Sequence, residues 1–488
     1  MNKRNTFYGI SPYNPPKSPI TENQYRDAVD ALAGMGPFGI ADEAYFEKLE
    51  DLRNDLYDMI VYNTDTLKGD GTVYYVSNAG SDDNNGLTPE TAWGTLQKVT
   101  DTKLSNGDTV LFERGGHWRG NVILQSGVTY SAYGTGPKPK IHFAYDGKTY
   151  GEWVQTDMPN IWVLDKEIPD RDIGLILFNG GESYAEKKNE FSSLKQDYDY
   201  MFNCELSNEE VNDRKIYMYS SNGNPAEIFD KIDLSRAKST IAIPGRSRDI
   251  TVHNLEIAFG QDYFFAGATH NIKMLYCSVL WMGGNLTGRG GVRFGGGGGC
   301  WCDCDVMEFK YCYFTQHFDT AVTPQYNYDK DERPSLFDKF AVTGCLIEYT
   351  EYSFEYFMSQ KNRTDNLFRD MYFGYNFCRL GGQGFGDKTQ GSAYIKSWQG
   401  HENYSKNCLF EKNIFDRAAA LSINMASLDA ERNFSFELLP KMRANVYIEP
   451  RDKEFALVNG VRYKFNEEGH KSLEDIGFET EAVYMFTK

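Results

Sequence analysis

Two stretches of this 488-residue chain carry side chains whose types and spacing suit chemistry. In the first, carboxyl groups sit among aromatic residues: Asp319 in "HFDTAVTPQ", then Glu348, Glu351 and Glu355 in "CLIEYTEYSFEYFMSQ". Two carboxyl groups facing one bond can serve as proton donor and as nucleophile or base. The second stretch, "GVRFGGGGGCWCDCD" at 291–305, runs five glycines into Cys300, Cys302 and Cys304. Alternate positions of an extended strand share a face, so the three thiols would point the same way. Structural zinc more often uses two-residue spacings and needs a fourth ligand. A phosphate cradle would open a helix with Lys and Ser or Thr, which "CWCDCD" does not supply. No metal and no cofactor is expected, and the glycines read as a tight corner where backbone approaches a ligand or a neighbouring coil.

The bulk numbers narrow the partners. A net charge of −18 argues against nucleic acid, whose phosphates need clustered Lys and Arg, and makes a polyanionic substrate less natural. Aromatic residues make up 15% of the chain, enough to demand a large core or an aromatic-lined surface. "MNKRNTFYGISPYNPP" has no apolar region after its basic residues, and no run approaches the roughly 18 apolar residues that span a bilayer. Nine cysteines, an odd number without a small-scaffold pattern, fit a reducing compartment. The expectation is a cytoplasmic protein with no membrane partner.

The elements that must position the acids follow from a repeat. Residues 1–70 read as a helical leader, two helices broken at Gly36 and Pro37. Beyond it, short strands alternate with turns. A pattern of apolar, two spacers, Asn or Cys, one spacer, apolar then recurs as "VHNLEI" (here with Leu), "MLYCSV", "FKYCYF", "VTGCLI", "FGYNFC" and "FEKNIF". Its central residues are Leu255, Cys277, Cys312, Cys345, Asn376 and Asn413, in steps of 22, 35, 33, 31 and 37. A bare turn of a parallel β-helix takes about 22 residues, so the later coils carry insertions. Insertions at one corner pile up as a wall beside a flat sheet and make a groove. The cysteines then read as small buried residues stacked in a ladder with the two asparagines.

The stretch "YYVSNAGSDDNNGLTPETAWGTLQKV", with "GDTVLFERGGHWRG" and "GVTYSAYGTGPKPKI", resembles the opening segment of right-handed parallel β-helix carbohydrate-active enzymes. "DIGLILFNGGESYAEKK" and "KIYMYSSNGNPAEIF" resemble the insert of that class. "CYFTQHFDTAVTPQY" resembles the acidic coil of β-helical glycoside hydrolases, among them families with β-xylosidase and with α-L-fucosidase and xylanase members. The resemblance implies an all-β solenoid over 71–430 with an insert at about 150–240, and leaves a C-terminal cap at 431–488. It does not account for the leader, which can pack on its own barrel or on a neighbour, so a homo-oligomer is allowed.

The implied reaction is hydrolysis of a glycosidic bond in an oligosaccharide. Aligning coils on the ladder cysteines puts Asp319 and Glu355 three residues out of step. Aligning "FDTAVTPQ" on "FEYFMSQ" instead places them on adjacent rungs about 4.8 Å apart, which suits a retaining pair. The resemblance includes an acid in a "YSFEYF"-like coil and favours the second alignment, with Asp319 as nucleophile, Glu355 as acid/base and Glu351 as the substitute. His317 and Gln325 flank Asp319 and can meet sugar hydroxyls, although His317 equally suits a packed role. Arg289 and Arg293 can hold a hydroxyl or carboxylate, or form ordinary ion pairs. Trp398 and His401 can form an aromatic platform. A β-helix lyase is the alternative enzyme, with only Lys310 and Lys330 near the coil as bases. A non-catalytic carbohydrate-binding β-helix is the third reading.

Overall fold

The structure is a computed structural model describing residues 19–210, 212–326, 335–358, 366–386, 391–398, 403–429 and 431–488. Three long sheets of 13, 11 and 9 strands, paired in parallel almost throughout, form the faces of a right-handed parallel β-helix. A typical coil runs through Thr269–Leu275, Ser278–Met282 and Gly298–Trp301, one strand per face. The next runs through Cys304–Lys310, Tyr313–His317 and Thr320–Tyr326. Inward residues of all coils merge into one core, with Phe309, Phe340, Phe354, Phe373 and Phe410 close-packed along it.

Each turn from the first face to the second has the same chemistry. A residue with left-handed backbone, such as Tyr276, Tyr311, Tyr375 or Lys412, precedes the repeat's central residue. That conformation costs a non-glycine residue about 1–2 kcal/mol, and the ladder behind it offsets the cost. Cys345 N–H donates to Asn376 Oδ1 (2.9 Å), Asn376 N–H to Asn413 Oδ1 (3.0 Å), and Asn413 N–H to Asn445 Oδ1 (3.0 Å). Cys277, Cys312 and Cys345 are fully buried, their thiols directed at carbonyls of the preceding strands. The cysteines are ladder residues, as their spacing implies. Asn413→Ala leaves four hydrogen bonds unmade in the core. We expect a loss of about 3 kcal/mol in urea unfolding, against none for the exposed Asn222→Ala.

The parallel coils run on past residue 431, where the sequence suggests a cap. Lys441–Arg443, Val446–Pro450 and Glu454–Val458 make another full turn, paired in parallel with the coil before it. Closure comes from the antiparallel strand Val461–Lys464, the helix Glu467–Asp475 and the final strands Glu479–Thr480 and Val483–Thr487. Between 144 and 236 the chain leaves the solenoid for two small sheets of five and four strands with their own core. Leu175 and Leu177 of this insert pack against Leu280, Trp281, Phe318 and Phe385 of the coils.

The leader docks along the solenoid. Helix α1 (Glu22–Ala33) lies over the corners: Glu22 meets Tyr276 and Lys310, Tyr25 bonds the Tyr375 carbonyl, and Asp30 pairs with Lys412. Helix α2 (Glu43–Val61) crosses the second face, one turn to each rung. Glu50 pairs with Arg379, Arg53 with Glu348 at 2.6 Å, and Tyr57 packs edge-on against Tyr313. A helical turn of about 5.4 Å and a rung of about 4.8 Å are close enough to keep step over three coils. Strand Phe38–Ala41, between the two helices, then extends the second sheet in parallel beside Val483–Thr487.

Candidate active site

A cavity of about 470 Å³ opens on the third face, lined by residues of four successive coils. Gln261 and Asp262 come from the first coil, Gly295, Gly297 and Trp301 from the second, Asp319, Thr320, Thr323 and Gln325 from the third, and Glu355 from the fourth. The size is that of an ordinary small-molecule cleft. Strand alternation sets which side chains reach it: Val322 and Phe354 point into the core, so Thr323 and Glu355 point out.

Register corrects the alignment that placed Asp319 beside Glu355. Thr320 pairs with Tyr352 and Val322 with Phe354, which puts Glu355 level with Thr323 and Asp319 level with Glu351. The two acids meet in the cavity because the chain bends at Phe318–Asp319 before the strand begins. The adjacent-rung argument for a retaining pair therefore falls away. Their electrostatic contact stands on other grounds, since Asp319 acts directly on the Glu355 carboxyl.

Glu355 is 4% exposed. Burial first, and the neighbouring Asp319 charge second, push its carboxyl up to about 8, against the opposing pull of Trp398 and Lys396. The Trp398 indole N–H donates to Glu355 Oε1 at 2.6 Å. Lys396, next to Glu355 across the strand pair, holds its ammonium 4.8 Å from the Trp398 ring centre and 5.6 Å from that of Tyr352. At neutral pH this carboxyl keeps its proton, which is the state of a general acid. Removing the indole donor removes a bond that favours the carboxylate. Trp398→Phe should therefore move the basic limb of the kcat/KM profile upward from about pH 8 and cut turnover about tenfold, read on purified protein.

The other expected site residues divide. Gln325 lines the cavity, and Trp398 stands beside it as the partner of Glu355. His317 does not face it: the ring is fully buried against Tyr263 and Phe314, its nitrogens turned to the Val279 and Thr320 carbonyls. Burial holds its pKa down at about 4, so it is neutral packing. Arg293 is also structural, donating to the Gly284 and Gly174 carbonyls with its guanidinium 4.2 Å over Phe318. Arg289 is exposed and donates to the Glu209 carbonyl of the insert. Glu351 is buried and is not among the cavity-lining residues, and Glu348 is tied to Arg53 on the second face. His401 lies outside the described residues.

Sequence reasoning missed Trp301 and Asp262 of the cavity, and Lys396 beside Glu355, among others. Trp301 follows from alternation, since a residue between inward Cys300 and the turn must point outward. Lys396 is two residues before Trp398 and shares its face. Asp262, in "FGQDYFF", gives no local signal, because its coil precedes the glycine stretch and only stacking brings it near. The glycines themselves are steric necessities: a Cβ on Gly299 would lie 2.1 Å from the Thr323 carbonyl oxygen, at a φ of +148°. Cys300 and Cys304 are buried core thiols, with Cys300 Sγ donating to the Asp303 carbonyl. Among the described residues, no group of three or more His, Cys, Asp or Glu side chains is disposed to hold a metal. Dialysis against EDTA should leave activity unchanged, and its loss would revive the metal reading.

Comparison with known proteins supports the fold. No family model matches the chain. A solved glycoside hydrolase superposes with a TM-score of 0.51 at 9% identity, over 86% of this chain and 96% of that one. The fold is shared. A GH136 lacto-N-biosidase from Eubacterium ramulus aligns over 96% of this chain and 80% of its own, at 13% identity and a TM-score of 0.42. In sequence, a lacto-N-biosidase of Bifidobacterium longum subsp. longum is 30% identical over 156 residues, 29% of this chain and 9% of that much longer protein.

Proposed function

We propose that this protein is a glycoside hydrolase that cleaves an oligosaccharide in the third-face cavity. One observation carries the reading: a buried carboxyl, Glu355, bonded by the Trp398 indole and raised in pKa by burial, shares its cavity with a second carboxyl, Asp319. Glu355 gives its proton to the glycosidic oxygen as the bond to the leaving sugar breaks. Asp319 attacks the anomeric carbon as nucleophile, forming a glycosyl ester. Esterification removes the Asp319 charge that helps raise the Glu355 pKa, so Glu355 becomes more acidic. As a carboxylate it then takes a proton from the water that hydrolyses the ester.

The lacto-N-biosidase match and the resemblance to β-xylosidase and α-L-fucosidase families define the panel to test. The protein is incubated with p-nitrophenyl lacto-N-bioside, β-D-xyloside and α-L-fucoside. Release of nitrophenol supports the reading, and no release from any of them, nor reducing sugar from the corresponding oligosaccharides, overturns it. Proton NMR of the first-formed sugar fixes the stereochemistry: a retained anomer supports Asp319 as nucleophile, and an inverted one makes it the base. A lyase would instead produce an unsaturated uronate seen by ultraviolet absorbance, and binding without turnover would indicate a carbohydrate-binding β-helix. We further propose a reducing, cytoplasmic setting, supported by nine thiols of which eight are buried in the core.

A further inference from the structure

The cavity holds a third carboxyl that the proposed cleavage step does not use. Asp262 stands at the end furthest along the stack from Glu355. Ala266, just beyond it, pairs with Cys300, and Cys300 pairs with Pro324, so two rungs separate its coil from that of Asp319. At about 4.8 Å per rung, that separation is about 10 Å. Among the cavity carboxyls Asp262 is thus the one whose coil is stacked furthest from that of Glu355.

What lies between is a stretch of glycine backbone flanked by Phe294 and Trp301. Gly295 and Gly297 line the cavity on the intervening rung, and every glycine from Gly295 to Gly299 has a neighbour within 2.1–3.1 Å of where a Cβ would stand. The trough is one rung wide and walled by Trp301, whose strand position is level with Gln325. At its far end the Asp262 carboxyl is already oriented. The Ser239 hydroxyl donates to Oδ1, and the Gln261 side-chain amide to Oδ2 at 3.4 Å. A fixed carboxylate retains further lone pairs and suits a donor pair such as neighbouring hydroxyls of one sugar ring.

We propose that Asp262 is the distal anchor of the saccharide, accepting hydrogen bonds from hydroxyls of the sugar unit that lies across the glycine floor from the cleavage pair. It is a binding residue, contributing to ground-state affinity and to the choice of a chain end that presents two adjacent hydroxyls. Burial raises its pKa to about 6, in keeping with a carboxyl held in a lined cavity. The assignment rests on the hydrolase reading only for where the bond is cut, because the anchor itself requires binding alone.

The test separates the two. The Glu355→Gln protein, disabled for turnover, is titrated calorimetrically with the three aryl glycosides named above, with and without Asp262→Asn. Loss of charged hydrogen bonds should weaken the tightest of them about 10- to 100-fold. Ser239→Ala, which frees the carboxyl without entering the cavity, should weaken it by less. In the otherwise unaltered enzyme, Asp262→Asn should act on KM, with kcat falling far less than in Asp319→Asn. Unchanged affinity in the double variant overturns the anchor, as does a kcat collapse like that of Asp319→Asn, or the failure of all three glycosides to bind. If the wild type binds but never turns over, the hydrolase reading falls and the titration still decides Asp262.

Discussion

Glu355→Gln should lower kcat by about 10³-fold on an oligosaccharide and by much less on a p-nitrophenyl glycoside. Glutamine keeps the shape and can still accept the Trp398 indole N–H, but it has no proton to give. An alkoxide leaving group depends on that proton, whereas nitrophenolate leaves without it, so the gap between substrates measures acid catalysis. Asp319→Asn should be worse, at least about 10⁴-fold on both, because no leaving group replaces a nucleophile. The pair also leaves a trace independent of turnover. A carboxyl raised from 4.5 to about 8 binds its proton more tightly in the folded than in the unfolded protein. Stability from Glu355 is thus fully present below pH 4.5 and is lost as pH rises toward 8. Asp319→Asn removes one cause of the elevation and should flatten that part of the Tm–pH curve. An unaltered slope would mean that the two carboxyls do not interact.

The second large effect is steric. Gly297→Leu should abolish binding and turnover together, because its Cβ would stand 2.5 Å from Thr320 Cγ2 and 3.1 Å from the Thr320 carbonyl oxygen. The rest of the side chain would occupy the trough that Gly297 lines. Gly297→Ala asks Thr320 to yield by less than a methyl width and should retain measurable activity with a weakened KM. Equal activity in Gly297→Leu and the wild type would show that substrate does not cross this floor.

The sequence showed the solenoid clearly because a ladder is periodic. Cys277, Cys312, Cys345, Asn376 and Asn413 recur at the same point of each coil, and so are visible as spacing. Asn445 continues the series: "MRANVY" fits the same pattern 32 residues after Asn413 and marks one more turn than the sequence reading took. The site was harder to see, since residues separated by three coils converge through register, and register depends on turns whose lengths differ. An alignment by local similarity set Phe318 on Phe354, while the hydrogen-bond ladder sets Val322 there. By type and proximity His317 and Arg293 suit a ligand role and a structural one equally well. Both are used up holding backbone carbonyls, which only the three-dimensional surroundings reveal.

The leader gives the molecule a property that stacked coils alone lack. In an open array each repeat senses only its neighbours, so the ends fray first and loss spreads inward. Here Phe38–Ala41 completes the pairing of Val483–Thr487, while α2 grips the rungs carrying Arg379, Glu348 and Tyr313. Fraying of the terminal rung thus also releases a splint that spans the middle ones, turning a local opening into a global one. Synthesis runs in the opposite sense. The splint leaves the ribosome before any rung it grips, and its strand finds its partner only when the far end of the barrel has been made.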